Sequence, residues 1–327
     1  MRETIARWQK ILSEGFSSAE ALLQFLGLPA ELSDQGAEKQ FKTRVPKGFA
    51  ARMVPGNRWD PLLLQVLAVP EEHVVREDFV LDPLGEAIIT PMSGLLHKYH
   101  GRVLLTLTGA CAVHCRYCFR RHFPYQDHNP GRHGWQSVLD YIAVHPEIHE
   151  VILSGGDPLL ATDTVLVELF AQLSLITHLK TIRIHTRLPV VLPERITPEL
   201  LTLFSTAHCR VVVVLHSNHP QELDKSVQTA CVALRQVGCY VLNQSVLLAG
   251  VNDSVSVLVA LSERLFECGV LPYYLHVLDK VQGAVHFDVP FETATMLFRA
   301  MQAKLPGYLV PKLAREEAGK GHKTLFV

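Results

Sequence analysis

The 327-residue sequence has no apolar run long enough to span a membrane, and its opening segment lacks the continuous apolar core of a signal peptide. Neither sign of charge is in excess, because 31 lysine and arginine residues face 32 aspartate and glutamate residues. This balance excludes a strong overall field that would recruit nucleic acid or an anionic membrane. We therefore expect a cytoplasmic globular protein without a nucleic-acid or membrane partner.

The sequence also lacks the paired cysteines of a disulfide framework. Seven cysteines are an odd number, and three of them crowd into residues 111–118 while four are scattered. Free cysteine usually behaves as a small buried hydrophobe, which fits a reducing compartment. The scattered residues predicted to be core thiols are Cys209, Cys231, Cys239 and Cys268.

Internal repeats and low-complexity segments are absent too, so the fold class follows from the order of predicted elements. Residues 1–90 are predicted to form a helical N-terminal region, in which Ser17 and Glu20 form a capping box. Beyond them, six β-branched runs alternate with amphipathic segments, which is typical of a parallel sheet. The predicted strands are residues 102–108, 150–156, 181–187, 210–218, 240–248 and 272–279.

Polar residues and glycine follow nearly every predicted strand, as they do at the C-terminal rim of barrel enzymes. Six strand–helix units rather than eight would leave such a barrel partly open. We therefore predict an α/β fold, a partial (β/α)6 TIM-type barrel in residues 91–300, followed by a C-terminal segment in residues 301–327.

A cysteine loop follows the first predicted strand, with Cys111, Cys115 and Cys118 at the spacing C-x3-C-x2-C. One interpretation is structural zinc, although no second Cys/His pair at suitable spacing is present. Another is a [4Fe-4S] cluster, in which three cysteines leave one iron with an open coordination position, as a catalytic centre needs. Unrelated core cysteines are a third. Histidines that could supply a fourth zinc ligand are His114, His122 and His128.

The cysteine loop resembles that of the radical S-adenosylmethionine (SAM) superfamily, C-x3-C-x-aromatic-C, with Tyr117 in the aromatic place. The resemblance implies a [4Fe-4S] cluster whose open iron binds SAM and cleaves it with an electron from an external donor. The stretch "SGGDP", one strand later, resembles the superfamily's SAM amino-group loop, although alone it is more often a turn. The residues implied to bind SAM are Tyr117, Ser154, Gly155, Gly156, Asp157, Arg187, His216 and Gln244.

The resemblance narrows to the lysine 2,3-aminomutase group and covers nearly everything from about residue 70 onward. The segments "TRLPVVLPERITPEL", "HSNHP", "NQSVLLAGVND" and "PYYLHVLD" are similar to that group's signature segments. These enzymes are isomerases, of the intramolecular aminotransferase type, that use pyridoxal 5'-phosphate (PLP) besides SAM and the cluster. The resemblance implies conversion of free L-α-lysine to (R)-β-lysine, with SAM regenerated.

PLP requires a lysine for its Schiff base and cations for its phosphate. By resemblance Lys323, in the C-terminal segment, is the Schiff-base lysine, and Lys320 is the rival assignment. A lysine near a terminus is otherwise most often solvated. Lys98 and Arg102 match the two arginines that bind the phosphate, although lysine lacks the bidentate fork of arginine.

Three more residues are implied to bind the substrate. Arg120 matches the arginine that binds the substrate carboxylate, whereas Arg121 is expected only to face solvent. Asp279 and Glu316 match two aspartates that hold the ε-ammonium group of lysine. Two carboxylates indicate an amine-tailed substrate and disfavour glutamate, whose tail they would repel.

The sequence stops four residues after Lys323, where catabolic members of the group continue into a cysteine-rich tail that binds zinc. With Glu316 and the segments "RWQKIL" and "RVPKGFAARM", this resembles the shorter subgroup that supplies (R)-β-lysine for modification of elongation factor P. The implied partner is a lysyl-tRNA-synthetase-like ligase, and homo-oligomerisation is left open. A catabolic or osmolyte-producing aminomutase, on lysine or another amino acid, and a non-catalytic iron-sulfur or zinc protein remain alternatives.

Overall fold

The structure, a computed structural model, describes residues 5–86, 92–124 and 131–326, apart from the side chains of residues 131–133. One nine-stranded sheet organises these residues, and its strands lie side by side in chain order. The strands are β1 (Leu95–Tyr99), β2 (Arg102–Thr108), β3 (Glu150–Gly155), β4 (Thr181–Thr186), β5 (Arg210–His216), β6 (Tyr240–Val246), β7 (Leu271–His276), β8 (Lys312–Arg315) and β9 (Thr324–Phe326).

From β2 to β8, adjacent strands run parallel to one another, because helices carry the chain back between them. Strands β1 and β9 pair antiparallel at the two edges. The helices are α1 (Arg7–Ser13), α2 (Ala19–Phe25), α3 (Gln35–Gln40), α4 (Lys47–Ala50), α5 (Pro61–Leu64), α6 (Gly131–Ala143), α7 (Asp163–Ser174), α8 (Leu188–Val191), α9 (Pro198–Ser205), α10 (Lys225–Gln236), α11 (Val255–Glu267) and α12 (Phe291–Gln302).

The predicted partial α/β barrel is confirmed, and each of the six predicted strands is present with its ends shifted by at most three residues. Strand β8 adds a further parallel strand. Strands β1, β8 and β9 are not evident from the sequence, because segments of three to five residues are too short to show clear alternation. The predicted cap of α2 is wrong by one residue, since the Ser18 hydroxyl, not that of Ser17, accepts from the backbone N–H of Ala21 at 3.3 Å.

Helices of the first 90 residues share one apolar core with the barrel. Trp8, Leu22 and Phe49 belong to the same cluster of buried side chains as Val213 on β5. The four scattered cysteines are buried, which confirms that they are core thiols. Among the described residues, no helix is both long enough and apolar enough to cross a bilayer.

The strands present two different faces. Buried aliphatic residues such as Ile184 and Val213 belong to the main apolar core, whereas His185 and His216, on the other face, are only half-buried. Register pairs His216 with Gln244 and Gln244 with Tyr274, so these polar side chains start from adjacent points on three strands. The face opposite to the main core therefore carries polar side chains towards the strand ends, and it lines the interior of the open barrel.

Candidate active site

The cysteine loop follows β2 and keeps all three thiols half-buried. Burial and the neighbouring thiols raise the pKa of Cys111, and burial raises the pKa of Cys118 to about 11. Such thiols ionise when a metal centre supplies positive charge. Across the described parts of the chain, no three His, Cys, Asp or Glu side chains form a site for one metal ion. A cubane needs no such convergence, because each cysteine binds a different iron, so the donor set fits [4Fe-4S] better than zinc.

The histidines proposed as zinc ligands are engaged elsewhere. His114 Nδ1 lies 2.7 Å from the carbonyl oxygen of Lys42, and His122 Nε2 lies 3.1 Å from that of Gln282. His128 lies outside the described residues. The contacts of His114 and His122 therefore do not favour the zinc interpretation.

Two buried arginine side chains of the cysteine loop join it to the N-terminal region. Arg116 and Arg121 each donate through Nη2 to Oε2 of Glu72 at 2.6 Å, and Glu72 lies in the 3-10 helix Pro70–His73. Arg121 also donates to the carbonyl oxygen of Gly283 at 2.9 Å. The expectation that Arg121 faces solvent is wrong, because the shared carboxylate draws its side chain inside, leaving 1% exposed.

The "SGGDP" loop is joined to the cysteine loop through backbone contacts. The N–H of Gly156 donates to the carbonyl of Thr108 at 2.7 Å, and that of Asp157 to Ala110 at 2.8 Å. A Cβ atom at Gly156 would lie 2.2 Å from the carbonyl oxygen of Ala110, and Gly155 has a φ of +113°. Both positions therefore require glycine, and the close approach holds the two loops together.

Asp157 binds protein groups on all sides. Its carboxylate accepts from the Thr186 hydroxyl and the Arg187 N–H at 2.7 Å each, and from the N–H groups of Leu159 and Leu188 at 3.1 Å each. Burial raises the pKa of Asp157, although these hydrogen bonds favour the ionised form. The carboxylate thus fixes the loops after β3 and β4 to each other.

Tyr117, within the cysteine loop, is the centre of a buried polar network. Its hydroxyl lies 2.8 Å from Nε2 of His216 and accepts from Arg187 Nη1 at 2.8 Å and Asn218 Nδ2 at 2.7 Å. Gln65, which follows α5, lies 3.3 Å from the same hydroxyl. This network joins the cysteine loop to the ends of β4 and β5, and its members Tyr117, Arg187 and His216 were all predicted.

Arg187 spans from this network to the cysteine loop. Its Nη1 donates to Cys115 Sγ at 2.7 Å. Its Nη2 donates to Gln65 Oε1 at 2.7 Å and to Glu222 Oε2 at 3.0 Å. Gln65 and Glu222 were missed by sequence reasoning. The one signal for Glu222 is its place just after "HSNHP", and none marks Gln65.

A second polar group lies at the C-terminal segment, where Glu316 collects three partners. Lys323 Nζ forms an ion pair with Glu316 Oε2. Lys98 Nζ lies 3.0 Å from Oε1, and the Tyr99 hydroxyl donates to that oxygen at 2.7 Å. The guanidinium carbon of Arg102 lies 5.1 Å from the centroid of the Tyr99 ring. The structure thus brings together four predicted residues and adds Tyr99.

The rival lysine points elsewhere. Lys320 Nζ lies 2.5 Å from Glu317 Oε2, and half of its side chain is exposed. Lys323 Nζ instead lies 5.7 Å from the ring centroid of Tyr274, a residue of the interior face. This placement favours Lys323 as the functional lysine.

The two carboxyl groups predicted to bind the substrate amine have pKa values that are shifted in opposite directions. Burial and the nearby Glu316 raise the pKa of Asp279 to about 7, although Lys323 opposes the shift. Burial alone would raise the pKa of Glu316, but Lys323 and two weaker partners hold it well below its usual range. Only Glu316 is therefore fully ionised near pH 7.

Arg120 already holds a carboxylate. Its Nε and Nη2 each donate to Glu86 at 2.7 Å, in a bidentate pair of largely buried side chains. Its Nη1 donates to the Ser154 hydroxyl at 3.1 Å. The guanidinium fork predicted for a substrate carboxylate is thus close to the "SGGDP" loop, with Glu86 as its partner.

Histidines on the interior face lie near both polar groups, the one around Tyr117 and the one around Glu316. Burial and then Lys323 lower the pKa of His276 to about 3. Burial also lowers the pKa of His216, and the charge of Arg187 lowers it further. The pKa of His185 is lowered as well, mainly by burial and then by the charges of Arg183, Lys323 and Arg120. These rings are neutral near pH 7. His185 and His276 were not predicted as site residues, although both stand at C-terminal strand ends.

Comparison with known proteins agrees with this geometry. A profile described as the radical SAM superfamily matches residues 105–254. A protein named L-lysine 2,3-aminomutase from Haemophilus influenzae is 50% identical over 98% of this chain and 95% of its own length. Proteins of the same name from Escherichia coli and Clostridium subterminale are 48% and 35% identical, each over 97% of this chain and over 93% and 76% of their own lengths.

Identity at this level over almost the whole chain shows common family membership. Enzymes of this family are isomerases and use a [4Fe-4S] cluster, SAM and PLP, as expected from the sequence. The chain belongs to the lysine 2,3-aminomutase family of the radical SAM superfamily.

Proposed function

We propose that this protein is a PLP-dependent lysine 2,3-aminomutase that converts L-α-lysine to (R)-β-lysine. The observation that carries the proposal is the pairing of two groups in one barrel. Three partly buried thiols in the loop after β2 form one group, and a lysine with carboxylates and cations around Glu316, which follows β8, forms the other. An isomerase that combines a radical source with an amine-binding cofactor needs both groups within reach of one substrate.

The proposed cofactor sites follow from these placements. The thiols of the cysteine loop would hold the cluster, and Lys98 and Arg102 would bind the PLP phosphate beside Lys323. PLP, when bound, would supply a carbonyl group that captures an amino group, and its ring would serve as an electron sink. The residues proposed to surround SAM are Tyr117, Ser154, Gly155, Gly156, Asp157, Arg187, His216 and Gln244.

Glu316 holds Lys323 before that lysine acts as a nucleophile. The Lys323 amine must lose a proton to form a Schiff base, and Glu316 Oε2 is its direct partner. Lys98 and Tyr99 remain on the other carboxylate oxygen and keep the carboxyl group in place. Because the pKa of Glu316 is held well below its usual range, the proton of the partly exposed Lys323 passes to water rather than staying on Glu316, which remains ionised and can then face another cation.

Asp279 supports an amine-tailed substrate. A half-buried carboxyl group with a pKa near 7 ionises readily when a cation arrives beside it. The ε-ammonium group of lysine supplies that cation, and Arg120 can offer its fork to the substrate carboxylate if Glu86 yields. A substrate with an acidic tail would instead meet two carboxylates.

A finer part of the proposal concerns the use of the product. We propose that a lysyl-tRNA-synthetase-like ligase attaches the (R)-β-lysine to elongation factor P. The support is the resemblance of the opening segments, and of glutamate at position 316, to the subgroup that serves this modification. Feeding the product to such a ligase with unmodified elongation factor P would show mass addition on the factor. No addition would remove this finer part alone.

Chiral product analysis tests the main proposal. The reconstituted protein is incubated without oxygen with lysine, SAM, PLP and dithionite, and β-amino acids are separated by enantiomer. We expect (R)-β-lysine from L-lysine and no β-glutamate from a parallel incubation with glutamate. Inactivity on lysine, or a preference for another amino acid, would contradict the proposal.

A further inference from the structure

One contact in the cluster region goes beyond holding the ligands. Arg187 Nη1 lies 2.7 Å from Sγ of Cys115, close enough to donate a hydrogen bond to a sulfur predicted to bind iron. Arg187 follows β4 and Cys115 lies in the loop after β2, so the contact is made by the fold rather than by neighbours in sequence. It brings a full positive charge next to one thiolate.

The guanidinium group is fixed in this position from several sides. Gln65 and Glu222 accept from Nη2, and Tyr117 accepts from Nη1. The Arg187 side chain is only 7% exposed, and Glu222 is fully buried. With four polar partners in a site shielded from water, the group cannot swing away from the sulfur without breaking several charge-assisted bonds.

We propose that Arg187 tunes the reduction potential of the [4Fe-4S] cluster through its hydrogen bond to the Cys115 sulfur. This rests on the proposed function, because it requires the cluster. This task is additional to the proposed place of Arg187 in the surroundings of SAM. It makes Arg187 a positioning residue that acts on the cluster through a ligand.

The direction of the effect follows from charge. Reduction adds one electron, taken from an external one-electron reductant, and leaves the cluster with one more negative charge. A cationic donor on a ligand sulfur stabilises the reduced form more than the oxidised form, which raises the potential. Glu222 opposes this, because its carboxylate partly neutralises the guanidinium charge.

Two substitutions should therefore shift the potential in opposite directions. Arg187→Met keeps the length of the side chain and removes both the donor and the charge, which disfavours reduction. Glu222→Gln keeps the shape of the carboxyl group and removes the counter-charge, which favours reduction. A merely structural role for this pair would give no such opposition of sign.

The experiment is a redox titration of the reconstituted cluster, followed by electron paramagnetic resonance without SAM, PLP or lysine. At a fixed potential, we expect Arg187→Met to lower the ratio of reduced to oxidised cluster by about tenfold, the size of one charge-assisted hydrogen bond. Glu222→Gln should raise that ratio. Arg195→Met is the control, because Arg195 is equally buried but pairs with Asp163 and stacks on Trp8. Its ratio should equal that of the unaltered protein.

Each outcome has one meaning. An unchanged ratio in Arg187→Met, or the same sign of change in both variants, would overturn the inference. If Arg187→Met takes up no cluster, Glu222→Gln decides by the sign of its shift alone. Weaker SAM binding with an unchanged ratio would assign Arg187 to SAM instead. Failure of the unaltered protein to bind a cluster would count against the proposed function itself.

Discussion

The two polar groups of the site, the cluster end around Tyr117 and the lysine end around Glu316, are built on different principles. At the cluster end, Tyr117, Arg187 and Asp157 are buried, and each makes several hydrogen bonds to protein groups of complementary type. At the lysine end, Lys323 and Lys98 share the carboxylate of Glu316, and both keep part of their surface exposed. The side chains of the cluster end are fixed by their hydrogen bonds, whereas the charged groups of the lysine end can change partners.

The difference corresponds to the tasks proposed for each end. A cluster needs its ligands in one arrangement throughout a reaction, which a satisfied hydrogen-bond network provides. A lysine that forms a Schiff base must give up its ammonium charge, and its carboxylate must then accept a different cation. Substitution of Lys323 should therefore alter chemistry, whereas substitution of the carboxylate that pairs with Arg116 and Arg121 should alter stability.

The largest effect is expected at Lys323. Lys323→Ala removes the only amine of the C-terminal segment that the structure places against Glu316, so activity should fall by about a thousandfold or more. The visible absorbance of PLP held as a Schiff base should vanish, while iron content stays unchanged. Absorption spectra and iron analysis of the purified variant provide the measurement.

Lys320→Ala is the matched control for this substitution. Lys320 is three residues away and pairs with Glu317 at the surface. It should keep the PLP absorbance and nearly full activity. If the two variants exchanged their behaviour, the assignment of the lysine end would be wrong.

Behind the cysteine loop, Glu72→Gln should reduce stability. The change leaves the buried guanidinium groups of Arg116 and Arg121 without their shared carboxylate, which costs about 3–5 kcal/mol. Urea unfolding of the cluster-loaded protein measures this loss. Glu71→Gln, at the exposed neighbouring position, should change the free energy of unfolding by less than about 0.5 kcal/mol. Equal effects of the two variants would contradict the distinct role of Glu72.

Asp279 should make stability depend on pH in a direction opposite to that of a salt-bridged aspartate. Its pKa is raised from 3.8 to about 7, so the folded state holds the proton more tightly than the unfolded state. The resulting stabilisation is complete below pH 4 and disappears as the pH rises to about 7. Asp279→Asn, which stays neutral, should gain up to about 4 kcal/mol relative to the unaltered protein across that interval.

Thermal unfolding of both proteins between pH 4 and pH 8, without PLP or lysine, checks this prediction. The two curves should converge at low pH and separate towards pH 7. A constant difference over the whole range would show that Asp279 ionises with an ordinary pKa. Lys323 would then control this carboxyl group more strongly than burial does.

How well the sequence predicts the residues of these two groups depends on how far apart in the chain the contacting residues lie. The six strands of the predicted barrel follow from local alternation, and the cysteine loop follows from spacing within eight residues. Glu72 and Gln65 come from the N-terminal region and reach the loop only in the folded chain. No local pattern marks a buried glutamine or glutamate as the partner of an arginine far along the chain, so these residues could not be predicted.

Charge placement at the lysine end shows the same limit. Lys98, Arg102, Glu316 and Lys323 were identified by resemblance, but their pairing was not. The antiparallel edges β1–β2 and β8–β9 bring Lys98 next to Glu316 across the sheet, and three of these strands are too short to see in the sequence. The sequence therefore predicts membership of the site better than its contacts.

The most direct test of the central claim is the amount of β-lysine formed for each SAM molecule cleaved. The protein, loaded with cluster and PLP, is supplied with excess lysine, dithionite and a limiting amount of SAM, and both β-lysine and 5'-deoxyadenosine are quantified. An isomerase that regenerates SAM should form many β-lysine molecules for each 5'-deoxyadenosine released. One 5'-deoxyadenosine per product, or SAM cleavage without β-lysine, would contradict the account.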